Sequence, residues 1–122
     1  MPTVRDIMSV DLVAVEPTST VAEAATVMGE RHVGSALVIE GGRPTGIFTE
    51  RDILRALASD FDAAHHPVAD WMTHDPTTVQ AGADVRAARD LMLEGGFRHL
   101  PVTDGDTLVG VISIRDITRV ED

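Results

Sequence analysis

The 122-residue sequence contains no cysteine and no lysine. Without cysteine the chain can form neither a disulfide nor a reactive thiolate. Its 10 basic residues, all arginine, stand against 20 acidic residues, and the formal net charge is −10. Nucleic acids require a basic surface, which such a chain does not offer. The sequence therefore predicts no nucleic-acid partner, and local arginines and backbone N–H groups would have to hold any anionic ligand.

Long apolar runs are also missing. No segment approaches the ~18 apolar residues of a membrane span. The start, Met1-Pro2-Thr3, lacks the basic and apolar regions of a signal peptide. We therefore expect a cytoplasmic protein with no membrane partner. The length suits one compact domain, small enough for self-association to add useful stability.

The most informative feature that is present is an internal repeat. Gly46–Ile53 reads GIFTERDI, and Gly110–Ile117 reads GVISIRDI. A shift of 64 residues superposes the two segments and aligns the rest of the chain without a gap. A duplication of this kind divides the chain into repeat 1 at 1–59, a linker at 60–67 and repeat 2 at 68–122.

Hydrophobic periodicity and capping residues predict the order strand, helix, strand, strand, helix in each repeat, which indicates an α/β fold. Repeat 1 is predicted to contain a helical leg at Val4–Met8, a strand at Leu12–Val15, a helix with the capping pair Thr20 and Glu23, strands at Ser35–Ile39 and Pro44–Phe48 around a turn at Glu40–Arg43, and a helix at Glu50–Ser59. Repeat 2 is predicted to contain a strand at Thr77–Gln80, a helix at Asp84–Glu94, strands at Leu100–Thr103 and Thr107–Ser113, and a helix ending near Val120.

The duplicated motif has two readings. Thr49 or Ser113 at the N-cap, with Asp52 or Asp116 three residues later, forms a capping box that stabilises a helix and needs no ligand. The same arrangement places free amides and a helix dipole at a strand end, where a phosphate binds readily. The aspartate could then accept hydrogen bonds from the vicinal hydroxyls of a ribose. Spacing alone leaves both readings open.

Other polar and aromatic residues carry weaker signals. His65, His66 and His74 lack the spacing of metal ligands, so we expect no metal site and a solvated linker. Trp71 and Met72 are expected to pack against apolar neighbours rather than to stack on a base.

The motif Gly-x-x-Thr/Ser-x-x-Asp-Ile at the end of each repeat resembles that of the cystathionine-β-synthase (CBS) domain. The opening segments Val4–Ser9 and Val68–Thr73 and the strand Arg98–Val102 are similar too. Two copies resemble a Bateman module. The resemblance implies two repeats packed about a pseudo-twofold axis. It implies a non-catalytic regulatory module that binds AMP, ADP, ATP or a related adenosyl ligand in the cleft between the repeats, with binding altering conformation or partner association.

The resemblance also implies two ligand sites, each combining residues of both repeats. The first would use Thr49 and Asp52 with Thr73, Thr78, Arg98 and His99. The second would use Ser113, Arg115 and Asp116 with Ser9, Ala14, Gly34, Ser35 and Ala36. Only the first has cations from the second strand, so tighter binding is expected there. For Arg98, Arg115 and His99 a plain structural or solvent-facing role stays an alternative.

The partners implied are an adenosyl ligand, a second copy of the chain and an effector protein that the sequence does not identify. In similar modules the helices after each motif pair with those of a second copy, and here they carry Ile53, Leu54, Leu57, Ile117 and Val120. No catalytic constellation recurs at a plausible spacing, so we expect no enzyme and no required cofactor. The alternative is a ligand-free dimerisation or interaction scaffold whose motif residues only cap helices.

Overall fold

A computed structural model describes residues 2–120 and divides the chain into two compact units. The middle unit is Val13–Pro76, and the terminal unit combines Met1–Leu12 with Thr77–Asp122. Each unit therefore contains most of one repeat together with the opening segment of the other repeat. No helix in the described part of the chain is long and apolar enough to cross a membrane.

The elements confirm the predicted α/β class, with one three-stranded sheet in each unit. In chain order they are α1 (Val4–Ile7), α2 (Val21–Arg31), β1 (Ser35–Glu40), β2 (Arg43–Thr49), α3 (Glu50–Ser59), two 3-10 helices (Phe61–His65 and Val68–Asp70), β3 (Thr73–His74), β4 (Val79–Gln80), α4 (Val85–Gly95), β5 (His99–Asp104), β6 (Thr107–Ser113) and α5 (Ile114–Val120).

Helix α2 begins where its capping box predicts. The Thr20 hydroxyl accepts a hydrogen bond from the Glu23 N–H at 3.0 Å, and Glu23 Oε1 accepts one from the Thr20 N–H at 2.9 Å. Hydrogen bonds to the Glu23 carboxylate, from the Thr20 backbone first and then from its side chain, hold the pKa of Glu23 below its ordinary value. The apolar side of α2 faces the core, since Val21, Ala24 and Met28 are buried.

The sheet of the middle unit has the order β1-β2-β3, all antiparallel. The predicted turn between β1 and β2 contains Gly41 and Gly42, whose φ angles are 60° and 78°. Two positive φ values match the hairpin turns whose twist suits antiparallel strands, and they explain the glycine pair. The last strand, β3, comes from the opening segment of repeat 2 and pairs with β2 at Gly46 and Ile47.

The segment predicted as a solvated linker is instead folded against the middle unit. Its 3-10 helix starts at a cap in which Asp60 Oδ1 accepts from the Asp62 N–H at 2.9 Å. Ala63 is fully buried, and the His66 carbonyl accepts from the Val21 N–H at 2.9 Å. Only His65 of the two linker histidines is exposed. The prediction from composition missed the apolar contact and the backbone bonds that order this segment.

The sheet of the terminal unit has the order β4-β5-β6, with β4 parallel to β5 and β6 antiparallel to it. The opening segment of repeat 1 completes this unit. Val4, on α1, lies fully buried in its core, and Ser9 bridges Val111 on β6. Helices α4 and α5 cover the core with Met92 and Ile117.

The first predicted strand of each repeat is shorter than expected. Leu12–Val15 contributes only an isolated parallel bridge between Ala14 and Leu37, with hydrogen bonds of 2.8 and 2.9 Å on either side. Its counterpart in repeat 2 is the two-residue strand β4. Both segments add a short parallel edge to a hairpin, because the chain makes only a few ladder hydrogen bonds before it turns into the long helix.

Candidate functional site

The duplicated motifs form the corners where β2 ends in α3 and β6 ends in α5. We call residues 46–52 the middle corner and residues 110–116 the terminal corner. At each corner the backbone passes from strand to helix, so the N–H groups of the first helical turn have no partner within the helix. The side chains around these groups decide whether the corner is only a cap or also a site.

Each corner starts with a glycine that makes room for a methionine. A Cβ added at Gly46 would lie 2.5 Å from the Met72 sulfur. A Cβ added at Gly110 would lie 2.6 Å from the Met8 sulfur and 2.8 Å from the Ser9 carbonyl oxygen. These separations are far inside van der Waals contact. The motif glycine therefore lets the opening segment lie close against the last long strand of its unit.

The middle corner contains a complete capping box. Asp52 Oδ2 accepts hydrogen bonds from the Thr49 N–H at 2.9 Å and from the Thr49 hydroxyl at 3.1 Å. The same hydroxyl accepts from the Asp52 N–H at 3.3 Å. Asp52 is only 8% exposed, which is uncommon for a carboxylate on a helix start.

The second carboxylate oxygen of Asp52 is held by an arginine. Arg55 Nη2 donates to Asp52 Oδ1 at 3.1 Å and to the Trp71 carbonyl oxygen at 2.9 Å. The guanidinium also lies over the indole of Trp71, 5.4 Å from its centroid. Both oxygens of Asp52 are thus engaged inside the middle unit.

The remaining predicted residues of the middle unit lie on the strands beside this corner. Ser35 is buried opposite Thr49 in the β1–β2 register, and the Gly34 carbonyl accepts from the Glu50 N–H at 3.0 Å. Ala36 is fully buried opposite Phe48. Ala14 bridges Leu37, and Thr73, which is exposed, pairs with Ile47.

The terminal corner repeats the capping box with a different surrounding. Asp116 Oδ2 accepts from the Ser113 N–H at 2.8 Å, and the Ser113 hydroxyl accepts from the Asp116 N–H at 3.1 Å. Within residues 2–120, no side chain donates to Asp116 Oδ1. Arg119 occupies the position equivalent to Arg55 and is exposed. The half-buried Asp116 therefore keeps an oxygen that a ligand could use.

Cations predicted from the sequence lie beside this second corner. His99, half-buried, is opposite Ser113 in the β5–β6 register. The Arg98 carbonyl accepts from the Ile114 N–H at 2.8 Å, and the Arg98 side chain is exposed. Ser9 pairs with Val111 on β6, and Arg115, which is exposed, lies within the corner itself. Thr78 also belongs to the terminal unit, as the half-buried residue before β4.

The structure therefore groups the predicted residues by unit. Thr49, Asp52, Thr73, Ala14, Gly34, Ser35 and Ala36 belong to the middle unit, and Ser9, Thr78, Arg98, His99, Ser113, Arg115 and Asp116 belong to the terminal unit. Each of the two sites implied by the resemblance draws on both groups. Those combinations stay predictions.

A capping box alone does not indicate a ligand in this protein. The boxes of Thr20 with Glu23 and of Thr3 with Asp6 have the same form and lie outside the duplicated motif. What sets the corners apart is the partial burial of their aspartates, whereas Asp6 and Glu23 are exposed.

Sequence reasoning missed the role of Arg55. Its spacing of three residues from Asp52 is typical of a helical ion pair, and that signal was available. The same spacing joins Arg119 to Asp116 without an ion pair among the described residues, so spacing does not decide the outcome. The prediction that Trp71 packs is confirmed, because the indole lies against the core of the middle unit.

The histidines near the linker have ordinary structural partners. His66 Nδ1 accepts from Trp71 Nε1 at 3.3 Å, and a ring nitrogen of His74 lies 2.8 Å from the Ala69 carbonyl oxygen. In residues 2–120 no three His, Asp or Glu side chains are arranged to hold a metal ion.

Comparison with known proteins identifies the fold family. The CBS domain family matches residues 4–59 and again residues 68–122. The chain belongs to the CBS domain family. Its two repeats are therefore a tandem pair of CBS domains, as the duplicated motif suggested.

Relatives that are similar over nearly the whole of this chain support this assignment. An uncharacterised 17.7 kDa protein of Acidianus ambivalens is 42% identical over 119 residues, covering 95% of this chain and 71% of that protein. The CBS domain-containing protein YhcV of Bacillus subtilis is 33% identical over 118 residues, covering 96% of this chain and 84% of that protein. Among solved structures, CBSX2 in complex with AMP has a TM-score of 0.82 and 27% identity, covering 98% of this chain and 95% of that one.

Proposed function

We infer that this CBS pair is a non-catalytic regulatory module whose ligand is an adenine nucleotide, with AMP as the first candidate. The observation that carries this function is the duplicated corner, in which a partly buried aspartate lies inside a capping box at a strand end. The likeness to CBSX2, whose structure holds AMP, supports the choice of ligand.

At each corner we assign the nucleotide ribose to the aspartate. A ribose presents two adjacent hydroxyl donors, and an ionised carboxylate presents about four acceptor positions. At the terminal corner the capping box uses one position on Asp116, so about three remain for a ligand. Arg98, just before β5, and His99, the first residue of that strand, supply the donors for a phosphate. A net charge of −10 does not forbid this, because exposed charges beyond about 8 Å are screened at physiological salt.

The experiment that tests this function is a panel of thermal melts with AMP, ADP, ATP, S-adenosylmethionine and NAD. A ligand that binds only the folded protein stabilises it by about 2.7 kcal/mol at a hundredfold excess over its Kd. For a chain of this size that shift is several degrees in Tm. A wild-type protein that none of these compounds shifts would favour the scaffold alternative, in which the motif only caps helices.

The non-catalytic assignment has its own test. Incubation with each nucleotide, followed by chromatographic separation, should return the nucleotide unchanged. Product formed without an added partner would contradict a purely regulatory role. In our proposal, ligand binding instead changes conformation or the association with an effector protein, and no further cofactor is needed. We assign this role to the cytoplasm, which cell fractionation would test.

We also propose that the module forms a homodimer through α3. Leu54 and Leu57 on this helix are 71% and 43% exposed, and Phe61, on the 3-10 helix that follows, is 92% exposed. Large apolar side chains grouped on a surface commonly mark a contact with another protein. Sedimentation at micromolar concentration should give a dimer. Leu54→Glu should shift it toward monomer, whereas Leu93→Glu, a matched change at an equally exposed leucine on α4, should not.

A further inference from the structure

The acceptor capacity of Asp52 is almost used up in the structure. Thr49 donates twice to Asp52 Oδ2, and Arg55 donates once to Oδ1. Of about four acceptor positions on a carboxylate, roughly one is left. A single hydroxyl could use it, but the two adjacent hydroxyls of a ribose could not both do so while Arg55 stays in place.

Arg55 is held in this position by more than the aspartate. Its Nη2 atom donates to the Trp71 carbonyl oxygen at 2.9 Å, and its guanidinium carbon lies over the Trp71 ring, 5.4 Å from the centroid. The planar, delocalised guanidinium suits both contacts better than an ammonium would. The side chain is still 55% exposed, so it can leave Asp52 for water without crossing the core.

Trp71 extends the same chain of contacts to the segment between the repeats. Its Nε1–H donates to His66 Nδ1 at 3.3 Å, and the two rings lie nearly parallel, with an interplanar angle of 11° and centroids 6.2 Å apart. His66 Nε2 in turn lies 3.5 Å from Asp60 Oδ2, the residue that caps the 3-10 helix. Movement of Arg55 away from Asp52 would therefore change the surroundings of Trp71 and of this helix.

From these contacts we propose that Arg55 is an internal competitor for Asp52, which a ligand must displace, and that its displacement is transmitted to Trp71. This inference rests on the proposed adenine-nucleotide function. It makes Arg55 a residue that sets the affinity of the middle corner. It also gives the middle corner a readout, through Trp71 and His66, that the terminal corner lacks, because Ile7 occupies the position equivalent to Trp71.

The test uses Arg55→Met, which keeps the apolar stem and good helix propensity but removes every donor. Arg119→Met is the matched control at the equivalent position. Both are made in the Asp116→Ala background, so that AMP binding, measured by calorimetry, reports the middle corner. Arg55→Met should bind AMP about tenfold more tightly than its Arg55 parent, since one charge-assisted hydrogen bond no longer has to be broken. Arg119→Met should stay within about twofold of the same parent.

Fluorescence gives a second readout, because Trp71 is the single tryptophan and the chain has no tyrosine. Without ligand, Arg55→Met should make the emission of Trp71 easier to quench with acrylamide than in the parent. AMP should change the emission of the Arg55 parent and should change that of Arg55→Met much less. Arg55→Lys keeps a cation without the planar fork. Its quenching and its response to AMP should lie between those of the Arg55 parent and Arg55→Met, and it covers the case in which Arg55→Met does not fold.

The outcomes separate this inference from the proposed function. If AMP binds the Arg55 parent and Arg55→Met gains no affinity, or loses it, the competitor role is overturned and the nucleotide function stands. If only Arg55→Met binds AMP, both are supported. If neither binds AMP at millimolar concentration while the wild type does, the competitor role is overturned and the nucleotide function stands on the terminal corner. If the wild type does not bind AMP either, both are overturned. A merely structural Arg55 would lower the Tm on substitution and give no gain in affinity.

Discussion

The two corners have the same motif and nearly the same capping box, but their aspartates have different hydrogen-bond partners. Asp52 is shielded and paired with Arg55, whereas Asp116 keeps an oxygen without a donor among the described residues. The difference arises outside the motif. In the middle unit the Trp71 carbonyl and ring contact the arginine, and the equivalent residue of the terminal unit is Ile7, which has no aromatic ring. A shared motif therefore does not ensure the same chemistry.

Because the chain belongs to the CBS domain family, the two corners can be compared as candidate ligand sites. The sequence predicted tighter binding at the site built around Asp52, because Arg98 and His99 were assigned to it. The structure places these two residues in the same unit as Ser113 and Asp116, and it engages Asp52 with Arg55. Because Arg55 occupies Asp52, we propose the opposite order of affinities, and the assignment of Arg98 and His99 to the Asp52 site stays a prediction. The variants below would break or sharpen the comparison.

The largest expected effect compares the cores of the two units. Phe48 and Ile112 occupy equivalent positions on the last long strand of each unit, and both are fully buried. Truncation to alanine should lower the free energy of unfolding by about 3–5 kcal/mol for Phe48→Ala and about 2–5 kcal/mol for Ile112→Ala. Urea denaturation measures both. Leu54→Ala, at an exposed site, should change it by less than about 0.5 kcal/mol in the isolated monomer. Losses below 1 kcal/mol at both buried sites would contradict the packing described here.

The second comparison concerns the aspartates and the ligand. Asp116→Ala should weaken AMP binding by roughly one to two orders of magnitude, from the ~1.5–3 kcal/mol of hydrogen bonds to a charged group. Asp52→Ala should weaken it less, because Arg55 already occupies that carboxylate. Each change also removes a capping interaction of up to about 1 kcal/mol, so shifts in Tm caused by AMP must be compared rather than Tm values alone. A larger loss with Asp52→Ala would restore the order predicted from the sequence.

The third comparison concerns the motif glycines. Gly110→Ala would bring a Cβ to 2.8 Å from the Ser9 carbonyl oxygen, and the backbone cannot move aside easily. Gly46→Ala meets only the flexible side chain of Met72. We expect Gly110→Ala to cost about 1–3 kcal/mol in the free energy of unfolding and Gly46→Ala to cost less. If chemical denaturation gives equal losses of unfolding free energy for the two variants, contact with the methionine, rather than with the Ser9 backbone, decides the cost at both glycines.

The smallest expected effect concerns the capping box of Thr20 and Glu23, which lies outside the two corners. Hydrogen bonds from Thr20 lower the pKa of Glu23, so the ionised carboxylate stabilises the folded protein. This stabilisation is fully present above the ordinary pKa of glutamate, about 4.3, and is lost as the pH falls through the lowered pKa. Glu23→Gln keeps the capping hydrogen bond without the titrating charge. The urea midpoints of wild type and variant should therefore converge as the pH falls below about 4.3. A constant difference down to pH 3 would mean that Glu23 contributes no pH-dependent stability.

Much of the fold could be predicted from the sequence because the relevant signals are local. Helix α3 has the predicted bounds, and α2 starts after the predicted Thr20 cap. Capping boxes and apolar periodicity act over three or four residues, so they can be recognised without knowing what the chain packs against. The two parallel edge segments were predicted too long because their length depends on partners far away in the sequence.

The sequence by itself determined the duplication, the α/β order of each repeat and the capping chemistry of both corners. Only the tertiary structure decided which opening segment completes which unit, that the segment after α3 folds as a 3-10 helix, and that Arg55 pairs with Asp52. The reason is that these features depend on contacts between residues that are far apart in the sequence. Arg55 and Arg119 have the same spacing from their aspartates, and what separates them is a tryptophan 16 residues away whose carbonyl and ring lie where the guanidinium can reach them.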